Sequence, residues 1–93
     1  MGVLIWETPE ETIKTVANRV KLLRKRKKIT QKQLSIRSGV SYGSIKRFED
    51  TGQISLISLT KLAAALDVVE EIRTLFSDIP YGSIDEVIRE NHR

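Results

Sequence analysis

The sequence predicts an all-α fold with about five helices, and three observations support this. Apolar residues recur at helical spacing along most of the chain. Residues able to cap a helix N-terminus precede several of these stretches. A hydrophobic content of 40% in 93 residues suffices for one small packed domain, whose stability is limited unless it oligomerises. We therefore expect an N-terminal arm at residues 1–7, a helical domain at 8–76, and a C-terminal turn with a short helix at 77–93.

The first helix is expected to begin after Thr8. Thr8 and Glu11 form a capping pair, and Pro9 occupies the first helical position. The face that packs on the core is predicted by an apolar stripe, which comprises Ile13, Val16, Ala17, Val20 and Leu23. The helix should end within the basic cluster at residues 24–28, because cations are favourable at a helix C-terminus.

Residues 30–49 have the local signals of two short helices joined by a tight turn. Thr30 and Gln33 form a capping box for a helix over residues 31–38. Gly39 then provides the left-handed residue at which such a helix stops, and Ser41 caps a second helix over residues 42–50. The predicted contacts between the two helices involve Leu34, Val40, Ile45 and Phe48, with the small Ser35 at their crossing. Together these signals indicate a helix-turn-helix.

Charge is distributed unevenly around this motif. Residues 12–48 contain twelve of the sixteen Lys and Arg residues and none of the twelve Asp and Glu residues. The net charge of +4 is therefore +12 in this stretch and −8 elsewhere. A basic surface beside a helix-turn-helix is typical of major-groove DNA binding. A surface that binds only a protein partner would not require so many Lys and Arg residues. The charge distribution therefore favours DNA binding over protein contact alone.

The second helix of the motif supplies the candidate DNA contacts. With Ile45 and Phe48 facing inward, helical spacing leaves the other side chains outward. The candidates for base contact are Tyr42, Ser44, Lys46 and Arg47. The candidates for phosphate contact are Gln31, Lys32, Ser41, Arg26, Lys27 and Lys28. The three residues from the basic cluster either bind phosphate or form a solvated helix end. The alternative for the other polar candidates is that they are ordinary solvated residues.

Composition leaves little room for other functions. The chain has no cysteine and one histidine, His92, so neither a thiolate site nor a Ser-His-Asp set can be assembled. We therefore expect no enzyme activity, no cofactor and no bound metal. No apolar run approaches the roughly 20 residues that cross a bilayer, and the apolar residues 3–6 are too few for a signal peptide. We expect a cytoplasmic protein associated with the nucleoid.

The motif Thr-Gln-x-x-Leu-x-x-x-x-Gly-Val-Ser-x-x-x-Ile-x-x-Phe-Glu resembles the Cro/C1-type (XRE) helix-turn-helix family. The resemblance covers roughly residues 18–68. It implies a compact lambda-repressor-like five-helix domain that binds inverted-repeat operator DNA as a homodimer. It also implies an ion pair between Arg24 on the first helix and Glu49 at the end of the recognition helix. Ser35 and Gly43 depart from the family pattern, where Ala and a polar reader are common.

A narrower resemblance concerns residues 46–56, with the sequence KRFEDTGQISL. This segment is similar to HipB-type antitoxins, which pair with HipA-like kinase toxins and repress their own operons. The resemblance implies an antitoxin of a type II toxin-antitoxin system. The alternatives are a free-standing phage-type repressor, or a helix-turn-helix module that works chiefly through protein contacts.

The C-terminal half is predicted to carry further helices at about residues 56–66 and 69–76, and a short one after a turn at residues 80–82. Acidic residues of this half should face away from DNA, among them Glu70, Glu71, Asp78, Asp85, Glu86 and Glu90. Leu75 and Phe76 either complete the core or form a partner surface. Trp6, in the arm, is expected to dock onto its own domain.

Overall fold

The computed structural model describes residues 6–78, and the predicted C-terminal turn and last helix lie outside them. The described part is all-α and has no strand. Its five helices are α1 (Pro9–Arg26), α2 (Gln31–Ser38), α3 (Tyr42–Thr51), α4 (Leu56–Ala65) and α5 (Val69–Arg73). The predicted five-helix, all-α fold is thus confirmed.

Helix α1 begins with the capping box that the sequence indicates. The Thr8 backbone N–H donates to Glu11 Oε1 at 2.8 Å, and the Glu11 N–H donates to Thr8 Oγ1 at 3.1 Å. The bond from the Thr8 backbone, with the Thr8 hydroxyl, lowers the pKa of Glu11. α1 packs against α3, and Ala17 is the fully buried residue of its apolar stripe.

The core lies where α1, α2, α3 and α4 meet. Five large side chains there are almost completely buried: Phe48, Leu34, Ile45, Leu62 and Leu66. α2 contacts both α3 and α4, and α5 packs on α4. Ile29 and Val40, in the two turns that flank α2, are also buried. The motif is therefore held on one side by α1 and on the other by α4.

The close approach of two segments explains Gly52, which ends α3. Gly52 is buried with a φ of 85°, and a Cβ there would lie 2.6 Å from the Ile13 carbonyl carbon. An L-residue would be strained in the left-handed region even with free space around it. α1 and the turn after α3 can therefore approach this closely only with glycine at this position.

Two expectations for the ends of the domain were wrong. α5 ends at Arg73 rather than at about residue 76, and Leu75 and Phe76 are 48% and 92% exposed. They do not complete the core, since the chain continues after Arg73 as a turn in which the Leu75 N–H donates to the Ile72 carbonyl at 3.2 Å. Trp6 is 85% exposed and does not dock onto the domain. No helix within residues 6–78 is long and apolar enough to cross a membrane.

Candidate nucleic-acid interface

The first helix of the motif is fixed by its own side chains. The Thr30 N–H donates to Gln33 Oε1 at 2.9 Å, and the Gln33 N–H donates to Thr30 Oγ1 at 3.0 Å. At the other end, Gly39 adopts a φ of 79° and its N–H donates to the Ser35 carbonyl at 2.9 Å. Both ends of α2 are therefore capped by residues of the motif itself.

The turn between α2 and α3 is closed by two serine hydroxyls. Ser35 Oγ donates to the Val40 carbonyl at 2.6 Å, and the Val40 N–H donates to Ser38 Oγ at 3.0 Å. The Val40 side chain is 5% exposed, so its backbone groups need partners inside the protein. Ser35 thus supplies a hydrogen bond as well as the small volume that the helix crossing requires, which explains a hydroxyl where an alanine would also fit.

Helix α3 has a clear inner and outer face. Ile45 and Phe48 are 0% and 1% exposed and point into the core. The outer face carries every candidate for base contact, since all of these side chains are exposed: Tyr42, Ser44, Lys46 and Arg47. Gly43 lies on the same face, and a Cβ added to it would have no other atom within 4 Å. The fold therefore presents a solvent-facing helix with polar and basic groups.

Tyr42 brings two of the candidate lysines together. Lys32 Nζ lies 5.7 Å from the centre of the Tyr42 ring, and Lys46 Nζ lies 5.3 Å from it. Both distances are within the range of cation–π attraction, which is worth about 0.5–1 kcal/mol at an exposed site. The ring thus holds a lysine of α2 and a lysine of α3 near one another, at the junction of the two helices of the motif.

Two serines cap the start of α3. The Ser44 N–H donates to Ser41 Oγ at 3.1 Å, and Ser41 Oγ donates in turn to Ser44 Oγ at 2.8 Å. Ser41 is therefore the N-cap of α3, and the Ser44 hydroxyl lies exposed beside it.

A buried ion pair connects α1 to the end of α3. Arg24 Nε donates to Glu49 Oε2 at 2.7 Å and Arg24 Nη2 donates to Glu49 Oε1 at 3.0 Å. The two side chains are 9% and 4% exposed. Arg24 Nη1 also donates to the Ile29 carbonyl at 2.8 Å, in the turn before α2. The bidentate geometry fixes the recognition helix against α1 and the α1–α2 turn.

The third partner of Glu49 is Gln31, whose Nε2 donates to Glu49 Oε1 at 2.8 Å. Burial alone raises the pKa of Glu49, but the hydrogen bonds from Arg24 and Gln31 and the charges of Arg24 and Lys21 outweigh it. The net effect is a lowered pKa, so the carboxylate stays ionised at neutral pH. The side-chain amide of Gln31, expected to meet phosphate, is thus engaged within the protein.

The basic end of α1 closes with a Schellman motif that has a lysine in the usual glycine position. The Ile29 N–H donates to the Arg24 carbonyl at 3.2 Å, and the Lys28 N–H donates to the Lys25 carbonyl at 2.9 Å. Lys28 has a φ of 58°, a left-handed conformation that glycine adopts without strain. Arg26, Lys27 and Lys28 are all exposed, and therefore remain accessible.

Two residues near α3 were missed from the sequence. Arg47 Nη2 donates to Gln53 Oε1 across the end of the helix. Lys21, one turn before Arg24 on α1, lines a shallow groove together with Lys46 and Arg47. The spacing of three between Lys21 and Arg24 was a signal that both face the motif. The only sequence signal for Gln53 was its position just after the end of α3.

Within residues 6–78 there is no group of three His, Asp or Glu side chains that could hold a metal ion. One exposed acid, Asp50, lies near the end of α3 and lines the groove with Lys46 and Arg47, whereas Asp67, Glu70, Glu71 and Asp78 lie beyond α3 in the chain, on or around α5. A helix-turn-helix family model matches residues 20–71, more than half of the chain. No curated protein and no solved structure matches the chain.

Proposed function

The chain belongs to the Cro/C1-type (XRE) helix-turn-helix family of DNA-binding transcription regulators, and on this premise we propose that it is a sequence-specific repressor of an inverted-repeat operator. The observation that carries the proposal is the outer face of α3. Its exposed side chains are polar or basic apart from Asp50 near its C-terminal end, and the 37 residues from 12 to 48 contain no acid that would repel phosphate. A helix with this surface suits the major groove.

Arg47 is the principal candidate for reading a base. An exposed guanidinium can donate two parallel bonds to O6 and N7 of guanine. Ser44 has an exposed hydroxyl that can contact a base or a phosphate, and Tyr42 and Lys46 lie on the same face. We assign base contacts to these four residues.

Phosphate contacts are assigned to the two flanks of α3. Lys32, Arg26, Lys27 and Lys28 are exposed cations next to the motif. Ser41 and Gln31 stand at the N-termini of α3 and α2, where backbone N–H groups attract anions. Because the Gln31 side chain is bonded to Glu49, its proposed contact runs through the backbone N–H instead.

The proposed repressor acts as a homodimer. Two recognition helices would enter successive major grooves, with half-sites about 34 Å apart along the DNA. A dimer bound there would deny polymerase access to the promoter. Such a protein works on the chromosome, so its expected place is the nucleoid within the cytoplasm, with no cofactor required.

We further propose that the repressor is the antitoxin of a type II system with a HipA-like kinase as its toxin. The support for this part is the resemblance of residues 46–56 to HipB-type antitoxins. Exposed apolar residues add a second observation in favour of some protein partner: Trp6, Leu56, Ile57, Leu75 and Phe76. The alternatives are a free-standing phage-type repressor and a module that works chiefly by protein contact.

Selection from a random duplex pool at about 150 mM salt tests DNA reading, because non-specific phosphate binding is weak there. An enriched inverted repeat with half-sites one turn apart is expected.

Arg47→Ala should weaken binding by about 1–3 kcal/mol and relax one base position. Arg73→Ala is the matched control, since Arg73 is exposed but pairs with Glu70 on α5. If Arg47→Ala weakens binding equally for all DNA sequences, Arg47 contacts phosphate rather than a base. If the selection enriches no site, the module that works chiefly by protein contact is favoured.

The antitoxin part is tested separately. The selected site is searched for upstream of the gene itself, and the product of any adjacent kinase gene is purified with the protein. A stable complex together with an operator at that promoter is the expected result. An operator without a neighbouring kinase, or a kinase that does not bind, would leave a free-standing repressor.

A further inference from the structure

The contact between Arg47 and Gln53 joins the proposed base reader to the loop after its helix. The donor is Arg47 Nη2 and the acceptor is Gln53 Oε1. The two residues are six positions apart, and Gly52 ends α3 between them in the left-handed conformation. Both side chains are exposed, so the bond does not arise from packing in the core.

The backbone of this loop is fixed relative to Arg47. Thr51 Oγ1 donates to the Arg47 carbonyl at 2.7 Å and accepts from the Gln53 N–H at 3.1 Å. The Gly52 N–H donates to the Phe48 carbonyl at 2.7 Å, and Gly52 lies against Ile13 of α1. The Gln53 backbone is therefore held beside the end of α3, which places its side-chain amide within reach of Arg47.

We propose that Gln53 is a positioning residue that orients the Arg47 guanidinium for base reading. This inference rests on the proposed function. A guanidinium has five N–H donors, and the bond to Gln53 uses one on Nη2, which leaves a fork of donors for a guanine. Arginine loses much rotamer freedom when it binds. Holding it in place beforehand reduces that loss, which favours the specific complex.

The size of the effect follows from the ordering of one side chain. Immobilising a rotamer-rich side chain at an interface weakens binding by about 2- to 12-fold. Gln53→Ala should therefore weaken operator binding by about this factor per half-site. It should also reduce discrimination at the base pair that Arg47 reads. The melting temperature should stay within about 4 °C of the wild type, because Gln53 is exposed.

The experiment is a double-mutant cycle, measured on the selected operator and on a variant operator in which the base pair that Arg47 reads is replaced. Gln53→Ala, Arg47→Ala and the double variant are compared with the wild type. We expect Gln53→Ala to lower discrimination between the two operators, and to have no further effect when Arg47 is already alanine. Gln53→Glu keeps the acceptor, so it should retain discrimination while its charge weakens binding to both operators equally.

Three results would overturn the inference. Wild-type discrimination in Gln53→Ala would show that Arg47 needs no positioning. A Gln53→Ala effect that persists in the Arg47→Ala background would show that Gln53 contacts DNA itself. If the wild type selects no site, the proposed function fails and this inference fails with it. Relaxation of the Arg47 Nε–H in the free protein adds a direct readout, since Gln53→Ala should make that group more mobile.

Discussion

Removing the Glu49 carboxylate should be among the most destabilising single changes in this domain. Glu49→Ala deletes the acceptor of two Arg24 bonds and one Gln31 bond. The Arg24 side chain, 9% exposed, would keep its charge without its partner. Breaking a buried ion pair in this way costs about 3–5 kcal/mol. That is a large share of the about 5–15 kcal/mol that stabilises a typical domain, and should lower the melting temperature by at least about 12 °C.

Thermal and urea unfolding followed by circular dichroism at pH 7 would measure this loss. Glu70→Ala is the matched control, because Glu70 forms an ion pair with Arg73 at 3.0 Å but both side chains are about 70% exposed, at 71% and 69%. Its removal should cost no more than about 1 kcal/mol. A Glu49→Ala loss no larger than that of the control would refute the reasoning that burial and bidentate geometry decide the strength of the pair.

The same pair should make stability depend on pH. The pKa of Glu49 is lowered in the folded state, since its hydrogen bonds outweigh the effect of burial. Its stabilising contribution is therefore complete above the unfolded pKa of about 4.3 and is lost as pH falls through the folded pKa. Unfolding free energies between pH 7 and pH 3 should fall less steeply in Glu49→Gln than in the wild type. Parallel curves would contradict this linkage.

Three further substitutions test backbone conformation. Gly43→Ala should stabilise the protein by about 0.4–1 kcal/mol, because the φ of Gly43 is ordinary and nothing lies within 4 Å of the new Cβ. Gly52→Ala should destabilise the protein by more than the about 1–2 kcal/mol of left-handed strain, because the new Cβ would also clash with Ile13. Thermal unfolding of both variants checks this, and equal shifts would contradict it. Lys28→Gly should raise stability by about 1 kcal/mol yet weaken operator binding if Lys28 contacts phosphate; unchanged affinity would place Lys28 outside the interface.

The helices of the motif could be predicted because their signals are local. Thr30, Gly39 and Ser41 each act on neighbouring backbone groups, so their roles follow from spacing in the chain. The inner face of α3 followed from helical periodicity, which places Ile45 and Phe48 on one side. These features need no knowledge of how distant segments meet.

Contacts that depend on tertiary placement could not be predicted in the same way. Gln31 was a natural phosphate candidate at a helix N-terminus, but the buried Glu49 has acceptor capacity beyond the bonds from Arg24 and draws the amide inward. α5 ends early, at Arg73, and gives way to a turn that the apolar pattern of residues 69–76 does not reveal. The bond from Arg47 to Gln53 depends on the direction in which Gly52 turns the chain.

The buried network also connects stability to DNA reading. Glu49 ends the recognition helix, Arg24 belongs to α1, and Gln31 begins α2, so the three bonds set how α3 projects from the domain. Glu49→Gln, which keeps the shape of the side chain, should remain folded at low temperature with a less fixed α3. We expect such a variant to lose affinity for the selected operator while retaining affinity for random duplex, because base contacts require a fixed helix and phosphate contacts tolerate movement.

Titrations of the folded Glu49→Gln variant with both duplexes at one salt concentration would measure this ratio. Asp50→Ala is the control, since Asp50 is the next residue on α3 but is exposed. Removing that acid should strengthen binding to both duplexes alike, because its negative charge repels phosphate. An unchanged specificity ratio in Glu49→Gln would mean that the ion pair stabilises the domain without setting the reading position of α3. A reduced ratio would mean that an ion pair remote from the bases contributes to specificity.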